Sequence, residues 1–284
     1  MNDNLKTLII MIGECRGGEK TWESMYKNLM LPYNADLALC IGKKEGEAIE
    51  SNYLTEKSTY IWTIKEYDDW NDYFRENFNG FWENNFSYGL EGGGGTRGII
   101  PLIFKHFIYK NYINILMQYD RIIMTRSDMY YIHKHPILSN DHFWIMEGED
   151  HGGYCDRFSI FPSKYIKECL NIAEYVDSEN LKNLLRIMYE NKLPFLQNGN
   201  LLEYGYFNSE CYHRLYFEST GIVYKIRRSP AVQFMVSTDD DTTRTPNSKL
   251  LGSKFKDGLN IRYKNEAVEA FRKVVLYRIP DYIP

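Results

Sequence analysis

The chain has 284 residues, of which 44% are hydrophobic and 25% charged, a composition typical of soluble globular proteins. Its formal net charge of −4 at pH 7 lacks the basic excess that binds a nucleic-acid backbone, so we expect no nucleic-acid partner. The five cysteines are odd in number and form no CxxC pair, which argues against a disulfide framework and a structural zinc site. No apolar run reaches the length of a signal peptide or a membrane span, so we expect a cytoplasmic protein.

The first part of the chain predicts a strand–helix–strand unit. Apolar runs predict buried strands at residues 8–12, 37–41 and 60–64. Between the first two, apolar residues at helical spacing predict a helix over residues 21–31 that ends at Pro32. Strands and helices that alternate in this way are typical of parallel α/β sheets.

The rest of the chain continues the alternation. The aromatic and acidic segment 68–90 predicts a helix or a lid, and a glycine-rich loop follows at 91–97. Beyond it we predict in order a helix, three strands, three helices, a strand and an amphipathic segment. The helix covers residues 99–117, and the three strands cover 122–128, 143–146 and 157–161. The next three helices cover 164–175, 178–189 and 209–219, the last strand covers 221–226, and the amphipathic segment covers 268–275. We expect one α/β domain over residues 1–284, with a core of about 5–236 and a C-terminal extension over 237–284.

A polar cluster follows the apolar run 122–124. It consists of Thr125, Arg126, Ser127 and Asp128. In open α/β sheets, ligands bind beyond the carboxyl ends of strands, and an acid beside a guanidinium there suits a metal–diphosphate or sugar ligand. This stretch leaves open the alternative of a strand end closed by an Arg–Asp ion pair.

Two glycine-rich turns could approach a ligand. The turn at 13–18 follows the first predicted strand and begins with Gly13, where backbone N–H groups could hold an anion, and Arg16 adds a guanidinium suited to phosphate. It lacks the GxGxxG spacing, so a plain strand–helix turn remains an alternative. The glycines at 92–95 precede Arg97, and because no Lys-Ser or Lys-Thr follows them, the hinge of a lid is favoured over a P-loop.

Carboxylates occur at two further places that could carry chemistry. Asp150 and Asp156 lie in a turn between two predicted strands and are candidates for contacts to an acceptor or sugar hydroxyl, although a solvated acidic turn is the alternative. Glu210 lies at the start of the predicted helix 209–219, where the helix macrodipole favours the ionised carboxylate. Such a carboxylate can take a proton from an attacking hydroxyl. Ordinary charge complementarity at a helix start is the alternative there.

Other catalytic arrangements have little support in the sequence. No Ser-His-Asp or Cys-His order stands out, so a hydrolytic nucleophile is not indicated. His133 and His135 alternate on a strand-like stretch without a further metal ligand, and we predict that both are surface histidines.

The order of these motifs resembles small nucleotide-sugar glycosyltransferases of large DNA viruses and bacterial surface-polysaccharide loci. Residues 8–16 and 34–36 are similar to the beginning of those enzymes. Residues 119–128 resemble their YD…RxD strand, a variant of the Asp-x-Asp motif, and residues 152–158 resemble their GGxxDRF element. Residues 209–222 resemble the E…L…G helix near the end of their core.

The resemblance implies a GT-A fold, a single α/β domain whose mostly parallel central mixed sheet is flanked by helices. It also implies a nucleoside-diphosphate-sugar donor, often held through a divalent metal, Mn or Mg, with Asp128 as the metal ligand. Glu210 would correspond to the catalytic base of inverting members. The residues expected around the donor are Gly13, Arg16, Asp36, Arg97, Arg126, Ser127 and Asp128.

The sequence departs from the family pattern in two respects. Arg126 replaces the first acid of Asp-x-Asp, and no histidine after His213 supplies a last metal ligand. Arg126, Arg227 and Arg228 are therefore an alternative means of neutralising the diphosphate.

We accordingly predict an inverting glycosyltransferase that moves a sugar from a nucleotide donor to a glycan hydroxyl. The catalytic candidates are Glu210, Asp150 and Asp156, and the acceptor is expected near the two aspartates and the aromatic segment 70–88. The alternatives are a nucleotidyltransferase or other nucleotide-sugar enzyme, and a non-catalytic carbohydrate-binding protein. The expected partners are the donor and a glycan acceptor, in the host cytoplasm if the protein is viral.

Overall fold

The computed structural model describes residues 4–87, 100–148, 150–191, 195–197, 200–202, 208–239, 241 and 253–276. The strands are β1 (Thr7–Ile12), β2 (Asp36–Lys43), β3 (Tyr60–Lys65), β4 (Arg121–Thr125), β5 (Met129–Tyr131), β6 (Phe143–Met146), β7 (Ser159–Pro162), β8 (Phe195–Gln197), β9 (Asn200–Leu202), β10 (Ile226–Ser229), β11 (Gln233–Ser237), β12 (Ser253–Lys254) and β13 (Asn260–Ile261). The helices are α1 (Gly18–Met25), α2 (Leu31–Tyr33), α3 (Tyr53–Lys57), α4 (Asn71–Asn77), α5 (Phe81–Ser87), α6 (Ile100–Leu116), α7 (Ile166–Leu170), α8 (Ile172–Val176), α9 (Glu179–Glu190), α10 (Ser209–Thr220) and α11 (Lys264–Leu276).

A seven-stranded sheet in the order β10-β6-β7-β4-β1-β2-β3 forms the centre of the fold. Strands β4, β1, β2 and β3 are parallel to one another, β7 is antiparallel to both β4 and β6, and β10 is parallel to β6. The predicted fold class, α/β with a mostly parallel mixed sheet flanked by helices, is confirmed. Because β1 and β4 are neighbours and run in the same direction, their carboxyl ends meet at one edge of the sheet.

The central strands lie where the apolar runs of the sequence predict them. Leu8, Ile9 and Ile10 of β1 are fully buried, as are Ile122 and Ile123 of β4. Strands covered on both faces read as continuous apolar runs rather than as alternating ones. Burial of each such side chain contributes about 1.5–3 kcal/mol, which fixes these strands in the interior and fixes the polar residues beyond them at the sheet edge.

A second sheet brings the end of the described chain to that edge. It has the order β12-β13-β11-β5, and β11 pairs antiparallel with β5, which begins four residues after β4 ends. Helix α11 packs on β11, and its amphipathic character was predicted for residues 268–275. The single domain over residues 1–284, with its core and extension, stays a prediction.

The first helical segment is longer than its predicted range 21–31. It begins at Gly18, passes through a π-helical turn at Tyr26–Met30 and ends at Asn34, whose φ of 45° is left-handed. The predicted end at Pro32 is wrong, because this proline lies in the first turn of α2, where its missing N–H and its fixed φ are tolerated. Asn is one of the few residues that adopt the left-handed conformation at a helix end.

Two other predicted elements differ from the observed ones. The predicted strand at 221–226 is a 3₁₀ helix, Ile222–Lys225, followed by β10. Gly221 ends α10 with a φ of 73°, and this turn redirects the chain before it can pair. The aromatic segment 68–90 forms α4 and α5 up to Ser87, and its remaining residues lie outside the described part of the chain.

His135 is 1% exposed, so the prediction that it is a surface histidine is wrong. Its ring lies 5.0 Å from that of Phe158, and its Nδ1 lies 2.9 Å from the carbonyl oxygen of Pro136. The alternation of residues along a short strand-like stretch does not show which of its two faces is covered by other segments of the folded chain. His106 and His213 are buried as well. Burial lowers the pKa of His106 and His135 to about 4, and burial together with Lys105 lowers that of His213 to about 3.

From the lowered pKa values of these three histidines we predict that the protein loses stability in mild acid. An unfolded histidine binds its proton near pH 6.5, whereas the buried rings stay neutral to about pH 4, so the unfolded state binds more protons in between. The contribution of these histidines to stability should therefore be complete above about pH 6.5 and fall toward pH 4, by roughly 1.4 kcal/mol per pH unit for each ring. Urea unfolding at about pH 7.5 and pH 5 measures the slope. The control variant His142→Gln replaces a half-buried histidine outside this set and should keep the same slope. A free energy of unfolding that is flat over this range would contradict the assignment.

Candidate functional site

A cavity of about 260 Å³ lies beyond the carboxyl ends of β1, β2, β3 and β4. The residues that follow or end these strands line it: Gly13 after β1, Gly42 near the end of β2, Glu66 after β3 and Arg126 after β4. Asp156, which precedes β7, lines it as well. Five neighbouring strands of one sheet therefore deliver residues to a single cavity, at the edge where open α/β sheets bind ligands.

Ser127 ties the loop after β4 to the loop after β1. Its hydroxyl donates to the carbonyl oxygen of Glu14 at 2.8 Å and accepts from the backbone N–H of Arg16 at 2.9 Å. The loops meet at Gly17, where an added Cβ would lie 3.0 Å from the Cα of Asp128 and 3.2 Å from the carbonyl oxygen of Ser127. With a φ of 83°, this position favours glycine for its conformation as well as for the close approach.

Asp128 is held by two arginines. Arg126 donates from Nε to Oδ1 and from Nη2 to Oδ2, both at 3.0 Å, and Arg262 donates from Nη1 to Oδ2 at 3.3 Å. The Asp128 residue is 1% exposed. Burial opposes its ionisation, but Arg126, Arg262 and Arg16 together lower the pKa of Asp128 below its ordinary value. The ion pair that the sequence left open as an alternative is present.

This donor set does not fit a divalent cation. Both carboxylate oxygens of Asp128 already accept from guanidinium groups. Within the ranges that the structure describes, no three His, Cys, Asp or Glu side chains come together as metal ligands. Among the residues that the structure describes, the guanidinium groups of Arg16, Arg126 and Arg262 line this one cavity. Guanidinium groups bind diphosphate oxygens through charge-assisted and often bidentate hydrogen bonds, so the set suits an anion better than a metal.

The backbone of the turn at 13–18 contributes less to an anion site than its sequence indicates. The Gly17 N–H donates to both carboxylate oxygens of Asp241, at 3.2 and 3.3 Å, and the Arg16 N–H donates to Ser127. The Arg16 side chain pairs with the carboxylate of Glu14. The N–H groups predicted to bind phosphate are thus partly occupied by the protein itself, and the cavity is left with side-chain donors.

Asp156 and Glu210 form a carboxylate pair at one end of the cavity. Asp156 lines the cavity and Glu210, 9% exposed, lies beside it in the first turn of α10. Burial opposes ionisation of Asp156, but the buried ammonium of Lys105 is the main group that lowers its pKa below the ordinary value. Burial and the charge of Asp156 raise the pKa of Glu210 to about 8. The expectation that the macrodipole keeps Glu210 ionised is therefore wrong at neutral pH, because burial and a like charge outweigh the dipole.

Lys105 and His213 are buried groups that interact with this carboxylate pair. The Nδ1 of His213 lies 2.7 Å from the carbonyl oxygen of Ser209, which can only accept, so this nitrogen carries the proton. Its Nε2 is then free to accept from the Nζ of Lys105 at 2.7 Å. Lys105 is 3% exposed, and burial lowers its pKa, which the charge of Asp156 partly offsets. A buried cation beside Asp156 makes the two carboxylates chemically unequal.

Gly153 brings the turn that carries Asp156 against α10. A Cβ at this position would lie 1.7 Å from the carbonyl oxygen of Glu210, and the Tyr154 N–H donates to the same oxygen at 3.1 Å. Gly153, one of the two glycines of the GGxxDRF element, has no side chain and therefore permits direct contact between its backbone and that of Glu210.

We predict that Gly153→Ala lowers the free energy of unfolding by at least about 3 kcal/mol, because backbone atoms of α10 must move to admit a methyl group. Urea unfolding measures the loss. Gly42→Ala is the matched control, since its Cβ would meet only the ring of Phe104 at 3.6 Å and Glu66 at 3.9 Å, both ordinary contacts. Equal stability of the two variants would show that Gly153 does not pack on α10 as described.

The opposite end of the cavity has an acidic and aromatic wall. Glu66, Trp70 and Phe104 line it, and the Trp70 and Phe104 rings are 5.7 Å apart. Phe104 is buried, while Trp70 is half-buried. Glu66 has no hydrogen bond or ion pair through its side chain to any residue of the described chain. Its carboxylate is therefore available to a ligand.

Several predicted site residues lie away from the cavity. Asp36 begins β2, at the opposite edge of the sheet, and accepts from the Tyr119 hydroxyl at 2.7 Å, so the structure separates it from the donor residues. Asp150 pairs with Arg228, which donates to it at 2.7 and 2.8 Å. Both lie by β10, at the far end of the sheet from β1, so Arg228 is not placed to neutralise a diphosphate. Arg97 lies outside the described residues.

Three residues of the cavity region, Glu66, Lys105 and Arg262, were not singled out from the sequence. Trp70 belongs to the aromatic segment 70–88 that was expected near the acceptor, but it lines the end of the cavity opposite Asp156. Lys105 had a signal, because it is a single cation within the apolar run 99–108 of a predicted helix. Arg262 had none, since only the pairing of β11 with β5 and β13 carries the C-terminal residues to Asp128.

Comparisons with known proteins add little to this geometry. No protein-family model matches the sequence. No curated protein sequence matches it. The solved structures with a similar fold include the apo form of mouse xyloside xylosyltransferase 1, with a TM-score of 0.40 and 10% sequence identity over 78% of this chain and 84% of that chain. None of the helices in the described ranges has the length and apolar character needed to cross a membrane.

Proposed function

We propose that the protein is a glycosyltransferase that moves a sugar from a nucleoside diphosphate donor to a hydroxyl of a glycan acceptor. One observation carries the proposal, which is the order of charged groups along the sheet edge. Asp156 lies before β7, Arg126 after β4, Arg16 beyond β1 and Glu66 after β3, in the same order as the strands. The chemical groups of a nucleotide sugar follow a matching order along the molecule. Polar sugar hydroxyls lie at one end, an anionic diphosphate in the middle and a hydrogen-bonding base at the other end.

The arginines would hold the diphosphate. Arg126 and Arg262 are oriented by the buried carboxylate of Asp128, and Arg16 approaches from the neighbouring loop. Guanidinium groups fixed in this way act on the charge that develops on the leaving diphosphate without reorganising during the reaction. They would supply the charge neutralisation that a divalent metal supplies in many enzymes with such donors. The predicted metal at Asp128 is replaced in this proposal by the arginine cluster.

The carboxylate pair would act on the acceptor. The acceptor hydroxyl oxygen attacks the anomeric carbon of the donor, the bond from that carbon to the diphosphate oxygen breaks, and the hydroxyl proton passes to a carboxylate. Asp156 is the better base at neutral pH, because it lines the cavity and Lys105 favours its ionised form. Glu210 keeps its proton below about pH 8 and would position Asp156. Attack from the side opposite the diphosphate would invert the anomeric centre.

Thermal unfolding with added nucleotides tests the donor class. A nucleoside diphosphate or nucleotide sugar at a hundredfold excess over its Kd should stabilise the protein by about 2.7 kcal/mol. The shift should be the same with manganese and with a chelator, because arginines rather than a metal hold the diphosphate. The proposal fails if no nucleoside diphosphate or nucleotide sugar raises the melting temperature. A shift that occurs with glycans alone would instead support a carbohydrate-binding protein.

A further inference from the structure

The acidic and aromatic wall of the cavity, Glu66 with Trp70 and Phe104, takes no part in the chemistry described above. It lies at the end of the cavity remote from Asp156. Neighbouring strands are about 4.8 Å apart, so the end of β3 lies on the order of 12 Å from the midpoint between β1 and β4, where the arginines converge. The ribose of a bound nucleotide lies next to its diphosphate. A group that far along the sheet edge therefore meets the base.

We propose that Glu66 selects guanine, and that the donor is a guanosine diphosphate sugar. This assignment rests on the proposed function, and it names the nucleotide that the same cavity binds. The half-buried indole of Trp70 lines the cavity, where a base can stack against it, and the rings of Phe104 and Tyr67 pack against that indole at centroid distances of 5.7 and 5.6 Å. Stacking accepts any base, so the choice of base falls to the carboxylate.

The hydrogen-bonding pattern of the bases decides which one fits. An ionised carboxylate only accepts hydrogen bonds, and its two oxygens lie side by side. Guanine is the base with two adjacent donors on its pairing edge, the ring N1–H and the exocyclic amino group. Uracil places a carbonyl oxygen on each side of its single N–H, and adenine and cytosine each place a ring acceptor beside the amino group. Each of these three bases would set an acceptor against a carboxylate oxygen.

The structure leaves Glu66 ready for this role. Its backbone N–H is fixed by a hydrogen bond of 2.9 Å to the carbonyl oxygen of Lys43, which locates the residue at the ends of β2 and β3. The two neighbouring lysines are engaged elsewhere, Lys43 with Glu47 at 3.1 Å and Lys65 with Glu76 at 3.4 Å. Gly42 also lines the cavity, and it has no side chain that would fill the space between Glu66 and Phe104.

Titration calorimetry with GDP, UDP, ADP and CDP tests the assignment on the wild type and on Glu66→Gln. The wild type should bind GDP roughly tenfold to a hundredfold more tightly than UDP. A glutamine presents one acceptor and one donor, which match the N–H and a carbonyl of uracil but oppose one donor of guanine. Glu66→Gln should therefore weaken GDP binding by at least tenfold and strengthen UDP binding, so that the preference is reversed. The exposed Glu45→Gln is the matched control and should bind as the wild type does.

Three outcomes would overturn the guanine assignment while leaving the proposed function in place. The wild type could prefer UDP, Glu66→Gln could leave both affinities unchanged, or it could weaken all four nucleotides equally. Equal weakening would place Glu66 on the ribose hydroxyls that the four nucleotides share. Failure of every nucleotide to bind would overturn the proposed function together with the assignment, and so is distinguishable from the other results.

Discussion

Replacing Asp156 by asparagine is expected to lower the rate of sugar transfer by about two to four orders of magnitude, the usual contribution of a general base. Asparagine keeps the shape and the hydrogen-bonding oxygen but cannot take the acceptor proton. Affinity for a nucleoside diphosphate should stay within about threefold of the wild type, because the arginines that would hold the diphosphate are unchanged. Single-turnover transfer and nucleotide titration measure the two effects separately. An Asp156→Asn enzyme that transfers sugar at the wild-type rate would remove Asp156 from the reaction.

Glu210→Gln is the matched comparison for this prediction. At neutral pH Glu210 carries a proton, because burial and Asp156 raise its pKa to about 8, and glutamine preserves a neutral hydrogen-bonding group of the same size. The rate near pH 7 should therefore fall by less than about tenfold. The wild-type pH profile should change near pH 8 as Glu210 loses its proton, and the variant should lack that change. If Glu210→Gln instead abolishes transfer and Asp156→Asn does not, Glu210 is the base, as the family resemblance implies.

Arg126→Met is expected to weaken nucleoside diphosphate binding by about tenfold to a hundredfold and to lower turnover by about two to three orders of magnitude. Arg126 makes two hydrogen bonds of 3.0 Å to Asp128 and lines the cavity beside Arg262. Methionine keeps much of the length of the side chain and removes the charge. Stability should also fall, by about 1–3 kcal/mol, because among the described residues the buried carboxylate of Asp128 would then keep only its longer contact of 3.3 Å with Arg262.

Two variants separate a loss of the binding site from a loss of the fold. Arg126→Lys keeps the charge but not the planar fork, so its affinity should lie between that of the wild type and that of Arg126→Met. Arg75→Met removes an arginine from a half-exposed ion pair with Asp72 and should leave both affinity and turnover unchanged. Wild-type affinity in a folded Arg126→Met protein would place the diphosphate outside the arginine cluster.

Asp128 illustrates how far a local sequence can lead. The stretch from Thr125 to Asp128 predicted a polar cluster at the end of a buried strand, and the cluster lies there. The same stretch left a metal ligand and an ion pair equally open, because both place an acid beside a cation. The structure shows the ion pair with Arg126, and it adds a second partner, Arg262, which is 134 residues away and reaches Asp128 through the small antiparallel sheet. Pairing between such distant strands has no signature in the sequence near either residue.

Glu210 shows the same limit for a protonation state. A helix start could be predicted from the sequence, and the Asn208 side chain accepts from the Cys211 N–H as an N-terminal cap does. From the helix start alone, the macrodipole predicts an ionised carboxylate. Its pKa is set instead by burial and by Asp156, which packing through Gly153 brings beside it. Desolvation depends on everything that surrounds a group, so a pKa shift of this size is a property of the tertiary structure.

The sequence by itself determined the α/β class, the central strands and the residues that follow them, because apolar runs and turn residues act over a few positions. It also indicated the order of the acidic and basic clusters along the chain. Only the tertiary structure decided that Asp156, Arg126 and Glu66 share one cavity while Asp36 and Asp150 lie away from it. That choice depends on strand order and direction, which long-range packing sets. Residues distant in sequence then meet at one edge of the sheet, and residues close in sequence can lie at opposite edges.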